Sequence, residues 1–170
     1  MALKNIYLAG GCFWGTERVF KALNGVSETT VGYANGHTEN PTYEEVCTDT
    51  TGHRETVKVT YDTEKITLNK ILKAYFMVID PTVKDKQGGD TGTQYQTGVY
   101  YEDEESLPVI RDFFEEERKK YDVFCVELLP LSCFWTAEEY HQDYLDKNPT
   151  GYCHITKVEM DKVLKLNEEE

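Results

Sequence analysis

Apolar positions change period several times along this chain, and each change predicts an element. Ile6 to Ala9 is a short continuous apolar run and reads as a strand. Thr16, Val19, Phe20 and Leu23 then recur at helical spacing until Asn24-Gly25 stops them. Thr29 to Tyr33 predicts a second strand that ends in the Asn35-Gly36 turn. The polar stretch from His37 to Arg54, punctuated by Asn40-Pro41 and Thr51-Gly52, reads as a loop excursion. Glu55 to Tyr61 alternates, with Val57, Val59 and Tyr61 on one strand face. Leu68, Ile71, Leu72, Tyr75, Phe76 and Ile79 form the clearest amphipathic helix, ended by Asp80-Pro81.

The second half repeats the alternation with longer connections. Thr82 to Thr93 is a glycine-bearing loop, and Tyr95 to Tyr101 a strand. A helix is predicted from about Glu105 to Tyr121, then a buried strand from Val123 to Leu129. Thr136-x-x-Glu139 has the form of a capping box opening a short helix that bears Tyr140, His141, Tyr144 and Leu145. Past Pro149 and Gly151, His154 to Leu166 is weakly periodic. Strands and helices in this order predict an α/β (α+β) fold. The expected architecture is a two-layer sandwich with a mixed sheet, a split βαβ, ferredoxin-like core and long loops for a site.

Length and charge narrow the picture. The 170 residues predict one domain over 1–170, with the segment from about 147 expected to be mobile. The apolar run near the N-terminus is too short for a signal core or a membrane helix, so a cytoplasmic chain without a membrane span is expected. A net charge of −13 argues against nucleic acid as a partner. Five cysteines, an odd number, argue against a static disulfide framework and for reactive thiols.

Two residues carry candidate chemistry. Cys12 follows Gly10-Gly11 where the first strand gives way to helix, so backbone N–H groups and the helix dipole are expected to lower its pKa. The competing reading is a small buried apolar residue, and Phe13 and Trp14 are equally compatible with core. Glu55 shares the apolar parity of Val57 and Val59. Turned inward it would stay protonated near neutral pH; as the first strand residue it would instead reach solvent at the sheet edge.

Gly10-Gly11-Cys12-Phe13-Trp14-Gly15-Thr16-Glu17 resembles the signature of the A-type peptide-methionine sulfoxide reductases. Further blocks match in order: Gly32-Tyr33-Ala34, Asn40 to Cys47, Thr51-Gly52-His53 with Glu55, Asp90-x-Gly92-x-Gln94-Tyr95, and Glu139-Tyr140-His141-Gln142. Together they span roughly Ile6 to Cys153, far more than a lone motif.

The resemblance implies that Cys12 attacks the sulfur of a methionine S-sulfoxide while Glu55, Tyr43 and Tyr95 hydrogen-bond its oxygen. It implies that Phe13 and Trp14 hold the substrate methyl group, with Asp90 and His141 close by. The resulting sulfenic acid would be resolved by Cys153, with Cys47 and Cys133 as the other candidate thiols, and the disulfide reduced by thioredoxin. No cofactor or metal is implied, and a monomer is expected. Two departures stand out: no cysteine follows Cys153, and Asn35 replaces a glycine frequent in the family, a position where asparagine tolerates left-handed dihedrals.

Two other readings compete. A cysteine hydrolase or amidase would use Cys12, Glu55 and His141 as nucleophile, acid–base group and partner. A structural metal module would use Cys125, Cys133, His141 and Cys153, although no C-x-x-C pair supports it.

Overall fold

The computed structural model describes residues 2–151 and 153–168. Strand β1 (Leu3–Ala9) leads through Gly10-Gly11 into helix α1 (Phe13–Lys21), which returns the chain to β2 (Val26–Ala34). Strand β3 (Arg54–Asp62) pairs antiparallel with both β1 and β2. β1 and β2 are therefore parallel with β3 between them, the split βαβ arrangement expected.

The remaining strands extend this centre. β6 (Gly98–Tyr101) pairs antiparallel with β1, and β7 (Glu127–Pro130) pairs parallel with β6. β8 (Phe134–Thr136) pairs antiparallel with β2. The six-stranded order is β7-β6-β1-β3-β2-β8, a mixed sheet. Lys86–Gln87 and Asp90–Thr91 form a separate two-stranded hairpin, β4 and β5, inside the loop expected at 82–93.

Alternation along the strands builds the layers. Ile6, Leu8, Val57, Val59 and Val99 join the main core with α1, α3 (Leu68–Val78) and α4 (Ser106–Arg118). Phe76 of α3 stacks on Phe113 at 5.7 Å and meets Phe114 edge-on at 5.4 Å. Tyr7, Ala9, Ala34 and Tyr100 point to the other sheet face, where Leu131 and Phe134 cover them. Helix α6 (Lys157–Lys165) buries Val163 in the main core, and Asn167 bonds Ala22 O and Asn24 N at 2.8 Å each.

Several predicted elements shift. The strand expected at 95–101 begins only at Gly98, because β1 ends at Ala9, opposite Gly98, leaving earlier residues without a partner. Residues 93–95 form a 3-10 turn instead. For the same reason β7 starts at Glu127 rather than Val123, which is exposed, and it is an edge strand rather than a buried one.

The capping box expected at Thr136 is absent: Thr136 ends β8, and residues 139–141 are a 3-10 turn without a side-chain cap. The short helix α5 (Tyr144–Lys147) follows it. Genuine capping boxes open α2 (Tyr43–Cys47) from Thr42 and Glu45, inside the predicted loop, and α6 from Thr156 and Glu159. Asn35 adopts φ 58°, the left-handed conformation its side chain tolerates, and its Oδ1 accepts from Ser132 N at 2.7 Å.

Candidate active site

Cys12 is the residue that caps α1, and it is 7% exposed. Gly11 precedes it at φ 88°, where a Cβ would lie 2.7 Å from Gln87 Cβ. Glycine thus allows the turn and lets the β4–β5 hairpin close against it. Backbone N–H groups of Trp14 and Gly15 donate to the sulfur and favour the thiolate. Burial outweighs them, with the Glu55 and Asp90 charges adding to it, so the thiol pKa is raised. The expectation of a lowered pKa fails because desolvation is larger than the helix-end effect.

Glu55 is 1% exposed, which decides between its two sequence readings in favour of the inward one. Its Oε1 accepts from Phe13 N–H at 3.1 Å, while Oε2 is buried without a hydrogen-bond partner. Burial, helped by the Asp90 charge, pushes its pKa up to about 8 against the opposing Phe13 bond. At neutral pH this carboxyl is protonated beside the thiol, with one oxygen unused.

Around this pair lies an aromatic wall. Phe13 is fully buried and its ring centroid lies 5.2 Å from His141. Trp14 stacks on Tyr144 at 3.9 Å and 11°, and its Nε1–H donates to His141 Nδ1 at 3.0 Å. That bond makes Nδ1 the acceptor, so the neutral His141 ring carries its proton on Nε2, which is buried and unpartnered. Burial lowers the His141 pKa. Tyr43 packs against the same ring at 4.4 Å.

Tyr43 opens α2, and its N–H donates to Glu138 Oε2 at 2.9 Å while Tyr33 Oη donates to Glu138 Oε1 at 2.9 Å. Glu138 thereby fastens α2 to β2. The Tyr43 hydroxyl is hydrogen-bonded to Cys47. Tyr95 ends the 3-10 turn, within electrostatic reach of Glu55, Asp90, Cys12 and Cys47. Both phenols have raised pKa values through burial first and the Glu55 charge second, so both are neutral donors.

Cys153 lies against the first turn of α1. A Cβ at Gly15 would come within 2.9 Å of its sulfur, so Gly15 clears the space the thiol occupies. Among the described residues no three His, Cys, Asp or Glu side chains group as metal ligands, so Cys125, Cys133, His141 and Cys153 do not assemble into the metal module considered above. No helix of the described residues is long and apolar enough to cross a membrane.

The structure thus brings Cys12, Glu55, Tyr43, Tyr95, Phe13, Trp14, Asp90 and His141 into one region. Sequence reasoning missed Glu138 and Tyr144 as contributors. Tyr144 follows His141 by three residues, a spacing that offered a faint signal; Glu138 bonds residues about a hundred positions away and offered none.

A buried thiol at a helix start, a buried protonated carboxyl and neutral phenols beside an aromatic wall define a thiol enzyme on a mixed α+β sandwich. A sequence model described as peptide methionine sulfoxide reductase matches residues 4–170, and the chain belongs to that family. It is 57% identical over 156 residues to the peptide methionine sulfoxide reductase MsrA of Clostridium acetobutylicum, covering 91% of this chain and 96% of that one. The fold is similar to Mxr1 of Saccharomyces cerevisiae in reduced form, with TM-score 0.86 and 36% identity over 91% of each chain. It is also similar to the same yeast protein in complex with Trx2, at TM-score 0.61 and 26% identity over 84% of each chain.

Proposed function

We propose that this chain reduces the S epimer of methionine sulfoxide, free or in proteins, to methionine. The observation that carries this reading is the Glu55 carboxyl, protonated at neutral pH and with Oε2 unpartnered beside Cys12. Attack of sulfur on a sulfoxide builds negative charge on the oxygen, which needs a proton donor that water cannot replace in a closed site.

In this mechanism Glu55 gives its proton to the sulfoxide oxygen as the Cys12 sulfur attacks the substrate sulfur, and the carboxylate takes up the Cys12 thiol proton in exchange, so Glu55 ends protonated as it began. Tyr43 and Tyr95 donate hydrogen bonds to the same oxygen. The oxygen ends on Cys12 as a sulfenic acid: the substrate sulfur gains two electrons and the Cys12 sulfur loses two. Phe13 and Trp14 offer the apolar wall for the methyl group, and the Trp14 ring is fixed by Tyr144 and His141. Asp90 raises the pKa of Glu55 and so keeps the donor loaded.

Cys153 then displaces water from the sulfenic acid to form a disulfide, and a thioredoxin dithiol reduces it; the yeast neighbour in complex with Trx2 supports that partner. The hydrolase reading loses ground because the basic nitrogen of His141 is taken by Trp14 rather than by Cys12.

A single turnover without reductant, using each epimer separately, tests the proposal. The S epimer is expected to give about one methionine per chain and a mapped Cys12–Cys153 disulfide. Cys153→Ser should still give one methionine and then stall. A fully reduced chain that reacts with neither epimer would sink the reading.

A further inference from the structure

Residue His154, which follows the proposed resolving thiol directly, is built into the nucleophile's own loop. Its Nε2 lies 2.9 Å from Gly10 O. A carbonyl only accepts, so Nε2 carries the ring proton, and in the neutral ring Nδ1 holds a free lone pair. That Nδ1 is buried and has no hydrogen-bond partner among the described residues.

The ring fills space left by two glycines flanking Cys12. A Cβ at Gly11 would be 3.1 Å from Nε2, and one at Gly15 would be 3.4 Å from Nδ1. The same point at Gly15 is 2.9 Å from Cys153 Sγ, so the thiol and the free nitrogen both flank the first turn of α1, the resting thiol donating to Ile155 O at 3.5 Å. Gly88 of the hairpin closes the other side, its Cβ position 3.3 Å from His154 Cβ. Burial lowers the ring's pKa, while Gly10 O, Asp90 of β5 and Glu159 of α6 oppose that shift. The Cys153 thiol, at the same Gly15 position, also faces it.

We propose that His154 is the positioning residue of the recycling half-reaction: its bond to Gly10 seats Cys153 beside Cys12, and its Nδ1 takes the proton of the Cys153 thiol. This rests on Cys153 being the resolving thiol, as proposed above. The Cys153 sulfur attacks the Cys12 sulfur, the S–O bond breaks, and the oxygen leaves as water after taking the proton held by His154. One S–S bond forms, the Cys12 sulfur is reduced by one electron and the Cys153 sulfur oxidised by one. No outside reactant is needed.

The test is a rapid-mixing single turnover with methionine S-sulfoxide and no reductant, following methionine and the Cys12–Cys153 disulfide separately from pH 5 to 8. Wild type yielding methionine without that disulfide would overturn the resolving role of Cys153 itself, and with it this inference. Given the disulfide, His154→Gln keeps an N–H for Gly10 but has no titrating base. It should slow disulfide formation at least tenfold more than methionine formation and remove the loss of rate that wild type shows as its imidazole protonates.

His154→Leu, lacking both contacts, should be slower still. His154→Gln with the wild-type rate and profile, or with both steps slowed by one common factor, would overturn the inference.

Discussion

Replacing Glu55 by glutamine should make the protein more stable and less active, with a pH signature that belongs to this carboxyl. In the folded chain burial holds the Glu55 pKa at about 8, against an ordinary 4.5 once unfolded. Because the folded value is the higher one, wild type is relatively most stable below about pH 4.5, and stability falls as pH rises toward 8. At about 1.4 kcal/mol per pH unit, the folded state forgoes about 3 kcal/mol at pH 7 by keeping this group protonated.

Glutamine has the same shape, can still accept from Phe13 N–H, and is neutral in both states. Urea unfolding of wild type and Glu55→Gln at pH 5, 7 and 8 should show a gap near zero at the lowest pH that widens to a few kcal/mol. The same variant loses the proton donor, so methionine formation should drop about 10²- to 10⁴-fold. A gap that does not change with pH, or a variant less stable than wild type at pH 8, would refute the buried, protonated carboxyl.

Methionine formation in wild type should decline as pH rises through about 8, where Glu55 loses its proton, and this decline should be missing from Glu55→Gln; stopped-flow rates across pH 6 to 10 check it. Gly15→Ala would place a methyl 2.9 Å from Cys153 Sγ, so quenched thiol mapping should show disulfide formation slowed more than methionine formation. Phe76→Ala empties the cluster shared with Phe113, Phe114 and Phe124 and should cost ~3–5 kcal/mol in denaturant melts, distant from the chemistry.

Periodicity made the centre of the fold legible. The alternation of Val57, Val59 and Tyr61 implied β3, and its parity placed Glu55 on the buried face. The stripe from Leu68 to Phe76 implied α3 in the same way. What periodicity missed is short or set by partners. α2 buries only Val46 in five residues, so it leaves no apolar rhythm in a polar stretch. β8 exists because β2 offers Gly32 to Ala34 as an edge, not because Phe134-Trp135-Thr136 demands a strand. Local chemistry also misled: the helix start suggested an acidic thiol, but burial is a property of the whole fold and it set the direction for Cys12.

The interleaved strands have a consequence for the order of assembly. Cys12 follows β1 and Glu55 is the second residue of β3, 43 positions later, and they meet only when β3 has entered the gap between β1 and β2. A nascent or partly unfolded chain therefore holds an accessible thiol of ordinary acidity, open to oxidants and alkylating agents. Completing the central sheet converts it into a sheltered one that waits for its own substrate, so folding is itself the step that separates indiscriminate sulfur chemistry from selective repair.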